Sequence, residues 1–431
     1  MHPSLSRLTT TIVVALLAAA CTSTTSPAPV TTPRASGPPS SAQASATPSE
    51  TPDEAAVWLA AGDLVEPRNA AHVVVVGTNQ MLIVGSDWSC GASTNGSDSV
   101  EIGDPVTGVW EKTTSLPNLR DAPAVVALPD GRALMTGGAA GEDVGWSAYS
   151  STYVFDATTR LWSRSGLLNT ARTATAAAVL LDGRVLVAGG MYLDRTSSEP
   201  GRILGTSELW DSSSETWART GGLANTRAGA SAVTLADGRV LIVGGVASLE
   251  SAPIQQASAE VYDPTTGQWG SAGTLATARS DFALVALPDG GALIAGGITA
   301  SAPLSAVERF DPVSNTWSPA EGLPVPVARA AGTRLADGRV LLAGGNSFSQ
   351  TQIMDSAGTF GAGLTADALL FDPEAGRWTA TTSMPNPRAG ASAVLLPDGS
   401  VVFAGGYADE GFGTPSCPLA DPRVARYVPG S

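Results

Sequence analysis

Histidine is nearly absent from this 431-residue chain, with His2 and His72 the only two. A metal or catalytic centre built from several imidazoles is therefore excluded. Lysine occurs once, at Lys112, beside 23 arginines, and 39 acidic residues outnumber the 24 basic ones to leave a net charge of −15. That balance excludes a nucleic-acid partner, because phosphate binding needs clustered positive charge. Only 15% of residues are charged and 43% are hydrophobic, with 48 glycines and 30 prolines. The mixture is too apolar for a disordered chain and too rich in turn formers for a helical bundle, so it reads as all-β. The apolar run from Thr11 to Ala20 is too short for a permanent membrane span.

That run follows Arg7 and precedes Cys21, so residues 1–20 read as a secretion signal. Leu17-Ala18-Ala19-Ala20-Cys21 resembles a bacterial lipoprotein box, although Ala18 stands where leucine is usual. The resemblance implies a lipidated Cys21 and an extracytoplasmic chain attached to the bacterial cell membrane by its lipid alone. Ordinary cleavage after Ala20 would instead release a secreted chain with a free thiol. Residues 21–54 are dominated by Ser, Thr, Pro and Ala, a tether that cannot bury a core and can extend by roughly 100 Å.

From residue 55 to 431 the sequence is periodic. Six copies of an apolar strand, Asp-Gly, a second apolar strand and Gly-Gly occur, as in LLDGRVLVAGG (180–190) and LADGRVLLAGG (335–345). Asp-Gly between apolar strands is a strong hairpin signal because the turn needs positive φ. Each copy continues to an aromatic residue and then a tryptophan, as in VYDPTTGQW (261–269), with tryptophans at 58, 110, 162, 217, 269, 317 and 378. The pattern resembles the kelch repeat, which implies a seven-bladed kelch-type β-propeller with blade starts near 68, 120, 172, 227, 279, 327 and 388. Trp58 belongs to a repeat with no earlier strands, and Ala425-Arg426-Tyr427 to one with no later tryptophan. An N-terminal strand (about 55–60) is thus expected to complete the last blade and close the ring of a monomer. Cys90 and Cys417 fall in neighbouring loops across that seam and read as a disulfide, with two free thiols as the alternative.

The loops after Gly-Gly are long and dissimilar, whereas the opposite turns are uniform, so recognition is expected on the loop face. Trp88, Trp146, Tyr192, Phe348 and Tyr407 lie in those loops with acids such as Asp98 and Asp194. Aromatic faces suit a sugar or a peptide side chain. Loop carboxylates leave calcium open as a ligand without any dedicated spacing, and no other cofactor is implied.

Arginine recurs ten residues before each turn aspartate, at 68, 120, 172, 227, 279 and 388, with Val327 at the sixth repeat. These side chains form either an anion-binding ring or same-blade pairs with Glu101, Glu208, Glu260 and Glu308. Under the pairing scheme Arg120 and Arg388, which face Tyr153 and Ala425, are left free to bind a ligand. His72 replaces an alanine or serine of the other repeats and is either a lone acid or base or a packed imidazole.

The resemblance extends to copper-radical oxidases of the galactose-oxidase type, whose metal site uses histidine pairs that this chain lacks, and to kelch-like sialic-acid epimerases. With no nucleophile motif or metal cluster visible, the sequence reads as a membrane-tethered module that binds a protein or a glycan. A carbohydrate-active enzyme and a structural envelope protein without a specific ligand are the alternatives.

Overall fold

The computed structural model describes residues 56–69, 71–85, 97–142, 145–197, 201–248, 254–299, 302–347, 363–408 and 419–430. Six four-stranded antiparallel sheets follow one another along the chain, and a seventh is assembled from both chain ends. Blade 1 runs from His72 to Lys112 and blade 2 from Ala124 to Leu167. Blades 3 to 6 cover 176–220, 231–274, 283–320 and 331–380. Blade 7 takes its inner strands from Ser392–Leu395 and Val401–Ala404, its third from Leu419–Val428 and its outermost from Val57–Arg68. No described residue is helical. The protein is a seven-bladed β-propeller.

The second strand of each blade is sandwiched between neighbouring blades on both faces, which removes the need for polar alternation. Val185–Ala188, Val240–Val243 and Val401–Ala404 are accordingly apolar and buried at every position. Each seam between blades holds its own apolar cluster. At the seam of blades 7 and 1, for example, Leu64, Leu396 and Val402 meet Val73, Ile83 and Trp110.

The Asp-Gly hairpins differ from a two-residue turn. Gly131 N–H donates to Leu128 O at 3.0 Å and Leu128 N–H to Arg132 O at 2.7 Å, and only the glycine has positive φ, 85°. The loop thus has three residues, a tight turn followed by a left-handed glycine that forms a bulge. Gly-Gly has a different cause. A Cβ on Gly189 would stand 2.3 Å from the Arg227 carbonyl of the next blade, and Gly190 N–H donates to that same carbonyl at 2.8 Å. The pair lets two backbones touch across the seam.

Every repeat tryptophan donates its indole N–H to the preceding blade or the segment leaving it. Trp110 reaches Ala61 O, Trp217 Thr152 Oγ1, Trp269 Ser207 Oγ and Trp317 Ala272 O. Trp162 reaches Thr114 O, Trp378 Glu321 O and Trp58 Thr382 O, so the circuit is complete.

The expected ring closure is present, and its strand is longer than expected. Trp58 pairs with Tyr427, Ala60 with Ala425 and Arg68 with Asp421, with bulges between Ala60 and Asp63 and between Asp63 and Arg68. Those bulges carry the strand past the expected residue 60, across the full blade to Arg68. It begins on the face of the short turns and ends on the loop face. Trp58 also packs edge-on against Phe403 and Tyr427, with ring centroids 5.1 and 5.2 Å away. Trp58→Ala should therefore cost about 3–5 kcal/mol, read as a lower urea midpoint.

Candidate functional site

Each connection between blades is a short strap leading into the arginine position; some of its N–H groups donate to backbone carbonyls, as Leu168 does to Ser150 O at 2.8 Å, and the ones two and three residues before the arginine do not. Where the third strand carries glutamate, the carboxylate takes them. Glu208 accepts from Asn169 N–H at 2.7 Å, Thr170 N–H at 3.0 Å and the Arg172 guanidinium at 2.7 Å. Glu101 binds Val65, Glu66 and Arg68, Glu260 binds Ala224, Asn225 and Arg227, and Glu308 binds Ala276 and Arg279. The arginine also donates to backbone carbonyls, as Arg172 does to Gly189 O and Thr206 O at 2.9 Å each. These pairs are buried, with arginine side chains 0% and glutamates at most 6% exposed. Burial lowers the pKa of Arg172, Arg227 and Arg279, and the glutamates oppose it. The ring is therefore a set of internal struts and offers no surface to an anion.

Arg120 and Arg388 depart from the expectation that they are free. Arg388 is 1% exposed and faces Asp421 at 3.0 Å, a residue that the extended third strand of blade 7 brings opposite Arg68. Arg120 is fully buried, and among the described residues no carboxylate pairs with it. It donates to Gly137 O and Ser151, and its guanidinium carbon lies 4.5 Å and 5.2 Å from the ring centroids of Tyr149 and Tyr153. In blade 6 Val327 and Leu369 replace both partners and pack against one apolar cluster.

A cavity of about 340 Å³ lies between the inner strands of blades 1 to 5, lined mostly by alanine, valine, threonine and serine together with Pro123, Leu284 and one imidazole, His72. The part of His72 left unpacked faces this confined space, and desolvation pulls its pKa from 6.5 to about 4. Asp121, near the loop-face mouth, is 9% exposed, and burial raises its pKa to about 6 against the Ala122 backbone N–H. Two residues after each arginine position the chain turns left-handed at Ala122, Ala174, Gly229, Asp281, Arg329 and Gly390, with φ between 47° and 70°. Five blades carry alanine or glycine here, counting Ala70 in the sequence. Blades 5 and 6 carry opposite charges. Arg329 donates from Nε to Asp281 at 3.0 Å and from a terminal nitrogen to the Tyr407 hydroxyl at 3.3 Å, so it links blades 5, 6 and 7. Burial alone would lower the Arg329 pKa, but Asp281 and Tyr407 hold it above the usual range.

On the other side of the mouth, two hairpins rise from blades 2 and 3, Ala139–Glu142 with Gly145–Ala148 and Met191–Tyr192 with Arg202–Ile203. They are joined by Ala148 N–H to Leu193 O at 2.9 Å and Arg195 N–H to Ser147 Oγ at 3.1 Å. Beneath them Ala139, Met191, Leu193, Ala228 and Val246 form a small core, with Trp146 packed against it. Tyr192 is half-buried, with the Arg202 guanidinium over its ring at 4.6 Å. Tyr407 is 7% exposed. Trp146, Tyr192 and Tyr407 thus lie on the loop face, each already engaged by the protein. Trp88, Phe348, Cys21, Cys90 and Cys417 lie outside the described residues. The sequence reading passed over Asp121, Asp281 and Arg329; for the last two, the interrupted small-residue pattern was the available signal.

The kelch motif model matches residues 227–275 and 281–324. Galactose oxidase of Gibberella zeae is 27% identical over 212 residues, 48% of this chain and 29% of that protein. Kelch repeat-containing protein kel-10 of Caenorhabditis elegans is 24% identical over 183 residues, 41% of this chain and 29% of that protein. The chain thus spans 29% of the length of each of these relatives. Among solved structures, a fungal alcohol oxidase of the AA5 family, in complex with copper, superposes with a TM-score of 0.65 at 17% identity, over 87% of this chain and 77% of that one. That likeness is one of fold. Copper favours imidazole and thiolate donors, and among the described residues no three His, Cys, Asp or Glu side chains converge. His72 stands alone among small channel residues. The described residues do not fit a copper centre.

Removing one partner of a buried pair strands the other charge. Arg172→Met, which leaves Glu208 unpaired, should cost about 3–5 kcal/mol by urea unfolding, and Arg120→Met, which leaves no charge behind, distinctly less. The folded pKa of His72, about 4, lies below its unfolded value of 6.5. Unfolded chains therefore bind the extra proton between those values, and this residue's stabilisation is full above pH 6.5 and lost as pH falls toward 4. His72→Ser should flatten the decline in melting temperature across that window, and an unchanged slope would assign the acid sensitivity elsewhere.

Proposed function

We propose that this propeller is an extracytoplasmic binding module, held at a bacterial cell membrane by lipidated Cys21 and the 21–54 tether, that recognises a protein or a glycan through its loop face. The observation that carries the reading is the division of labour between the two parts of the domain. Struts, glycine seams and indole bonds hold the ring without help from the loops. The blade 2 and 3 hairpins add Leu193, Trp146, Ala148 and Ile203 to a small core over the strap ends of blades 2 to 4, and they bond to each other above it. Ordered loops that differ from blade to blade on a uniform ring suit a recognition surface. A disulfide between Cys90 and Cys417 across the blade 7 and blade 1 seam belongs to the same proposal, and non-reducing peptide mapping that finds both thiols alkylatable would remove it.

The galactose oxidase likeness favours a carbohydrate-active enzyme as the second reading, though not one of the copper-radical type. Both readings meet in one experiment. The intact chain is screened against a glycan array and an extracytoplasmic protein extract, in parallel with Trp146→Ala. Saturable capture that Trp146→Ala weakens at least several-fold, with unfolding of the ring unchanged, is the expected result. Turnover of a captured sugar would move the assignment to the enzyme, and capture insensitive to the loop face would discard the binding surface.

A further inference from the structure

The cavity between the inner strands is bordered by backbone that the sheets leave unpaired. The innermost strand of each blade has one neighbour, the second strand, and its other edge faces the ring axis. In an antiparallel pair only alternate residues exchange hydrogen bonds with the partner, and those between them turn N–H and C=O the other way. In blade 2, Leu128 N–H donates to Arg132 O at 2.7 Å, which sets the phase for Val126 with Leu134 and Ala124 with Thr136. Val125, between them, therefore directs its N–H and C=O away from its own sheet. The same phase, set by Leu180 with Arg184, Leu235 with Arg239 and Leu287 with Gly291, does so for Ala177, Ala232 and Leu284. All four residues line the cavity.

Four blades thus present N–H donors and C=O acceptors in equal number at one level, and among the described residues none of these groups is bonded. A carbonyl of the same phase one step lower, Val179 O, accepts from the Thr234 hydroxyl at 2.7 Å, so this edge is open to a hydrogen-bonding atom from outside its sheet. His72 and Ser231 also line the cavity, and neither side chain has a hydrogen bond among the described residues. Desolvation keeps the imidazole neutral at pH 7, where it offers one donor and one acceptor. No lining residue carries a carboxylate, ammonium or guanidinium, and none offers a phenyl, phenol or indole face.

We infer that this cavity binds a small uncharged molecule bearing secondary amides, the size of a cyclic dipeptide. A charged ligand would be desolvated there without a counter-charge, and a sugar ring would lack the aromatic face on which it stacks. An amide carries one donor and one acceptor side by side, as each free edge residue does. It therefore displaces water from both groups without leaving either unmatched. The volume of about 340 Å³ lies at the lower end of small-molecule sites. The site is independent of the loop-face reading and stands or falls by itself.

The test is NMR of the full chain, isotope-labelled in its two histidines, at neutral pH with cyclo(Gly-Gly) as the probe. The His72 resonance is identified as the one absent from His72→Ser, and it should shift saturably as the probe is added. Sarcosine anhydride, the same ring with both N–H groups methylated, should bind roughly tenfold more weakly. By calorimetry, His72→Ser and Ser231→Ala should each weaken cyclo(Gly-Gly) binding about fivefold. Serine already stands at the His72 position in blades 4 and 7, as Ser231 and Ser392, and an unchanged urea midpoint verifies that the variants fold. A His72 resonance that does not move, or equal affinity for sarcosine anhydride, overturns the inference. Unchanged affinity in both variants does the same, as does tighter binding of myo-inositol, which would assign the cavity to polyols. None of these outcomes alters the loop-face capture measured in the array and extract screen.

Discussion

The straps between blades set the problem that the ring must solve. A strap crosses the loop face with only some of its N–H groups bonded to backbone carbonyls, yet it lies beside a buried seam, where unsatisfied N–H groups are costly. In four blades a glutamate answers by accepting the N–H three residues before the arginine, at Val65, Asn169, Ala224 and Ala276. In the other three that position is Pro117, Pro324 or Pro385, which has no N–H to offer. There the glutamate position holds Tyr153, Leu369 or Ala425. The carboxylate is present where the backbone needs an acceptor and absent where proline has removed the donor. The arginine follows from this arrangement, because a buried glutamate must be neutralised, but it can persist on carbonyls and aromatic rings alone, as Arg120 does.

Once the straps are fixed, blades associate by repetition of the same few contacts, and each seam is sealed by its own apolar cluster and one indole hydrogen bond. The turn face repeats this economy. Asp130 and Asp182 are matched by the arginine two residues on, while blades 5 and 7, with Gly291 and Ser400 there, recruit Arg309 and Arg426 from the third strand to Asp289 and Asp398. Such exposed pairs contribute little stability each. They show how closely the blades substitute for one another, which makes the loop-face differences more telling.

Much of this was legible in sequence because a repeated structure states its rules several times. Asp-Gly, Gly-Gly and the tryptophans specified blade number and ring closure, and the joint loss of Arg and Glu at Val327 and Leu369 pointed to strut pairing. What escaped notice lay between repeats. Asp421 pairs with Arg388 through the extra length of one third strand, a register that no other blade shares. Asp281, Arg329 and Tyr407 belong to three different repeats, and only the curvature of the ring brings them together. Trp146, Tyr192 and Tyr407 lie on the loop face, but their sequence positions could not reveal that Arg202 already covers Tyr192 or that Arg329 already engages Tyr407.

The outermost strand of blade 7 gives the molecule a polarity. It runs from Val57 on the side of the tight turns to Arg68 on the opposite side, so a single strand joins the uniform face of the disc to the variable one. Pulling on Val57 would therefore load the blade from the face of the tight turns, peeling the closing strand away from Tyr427 first.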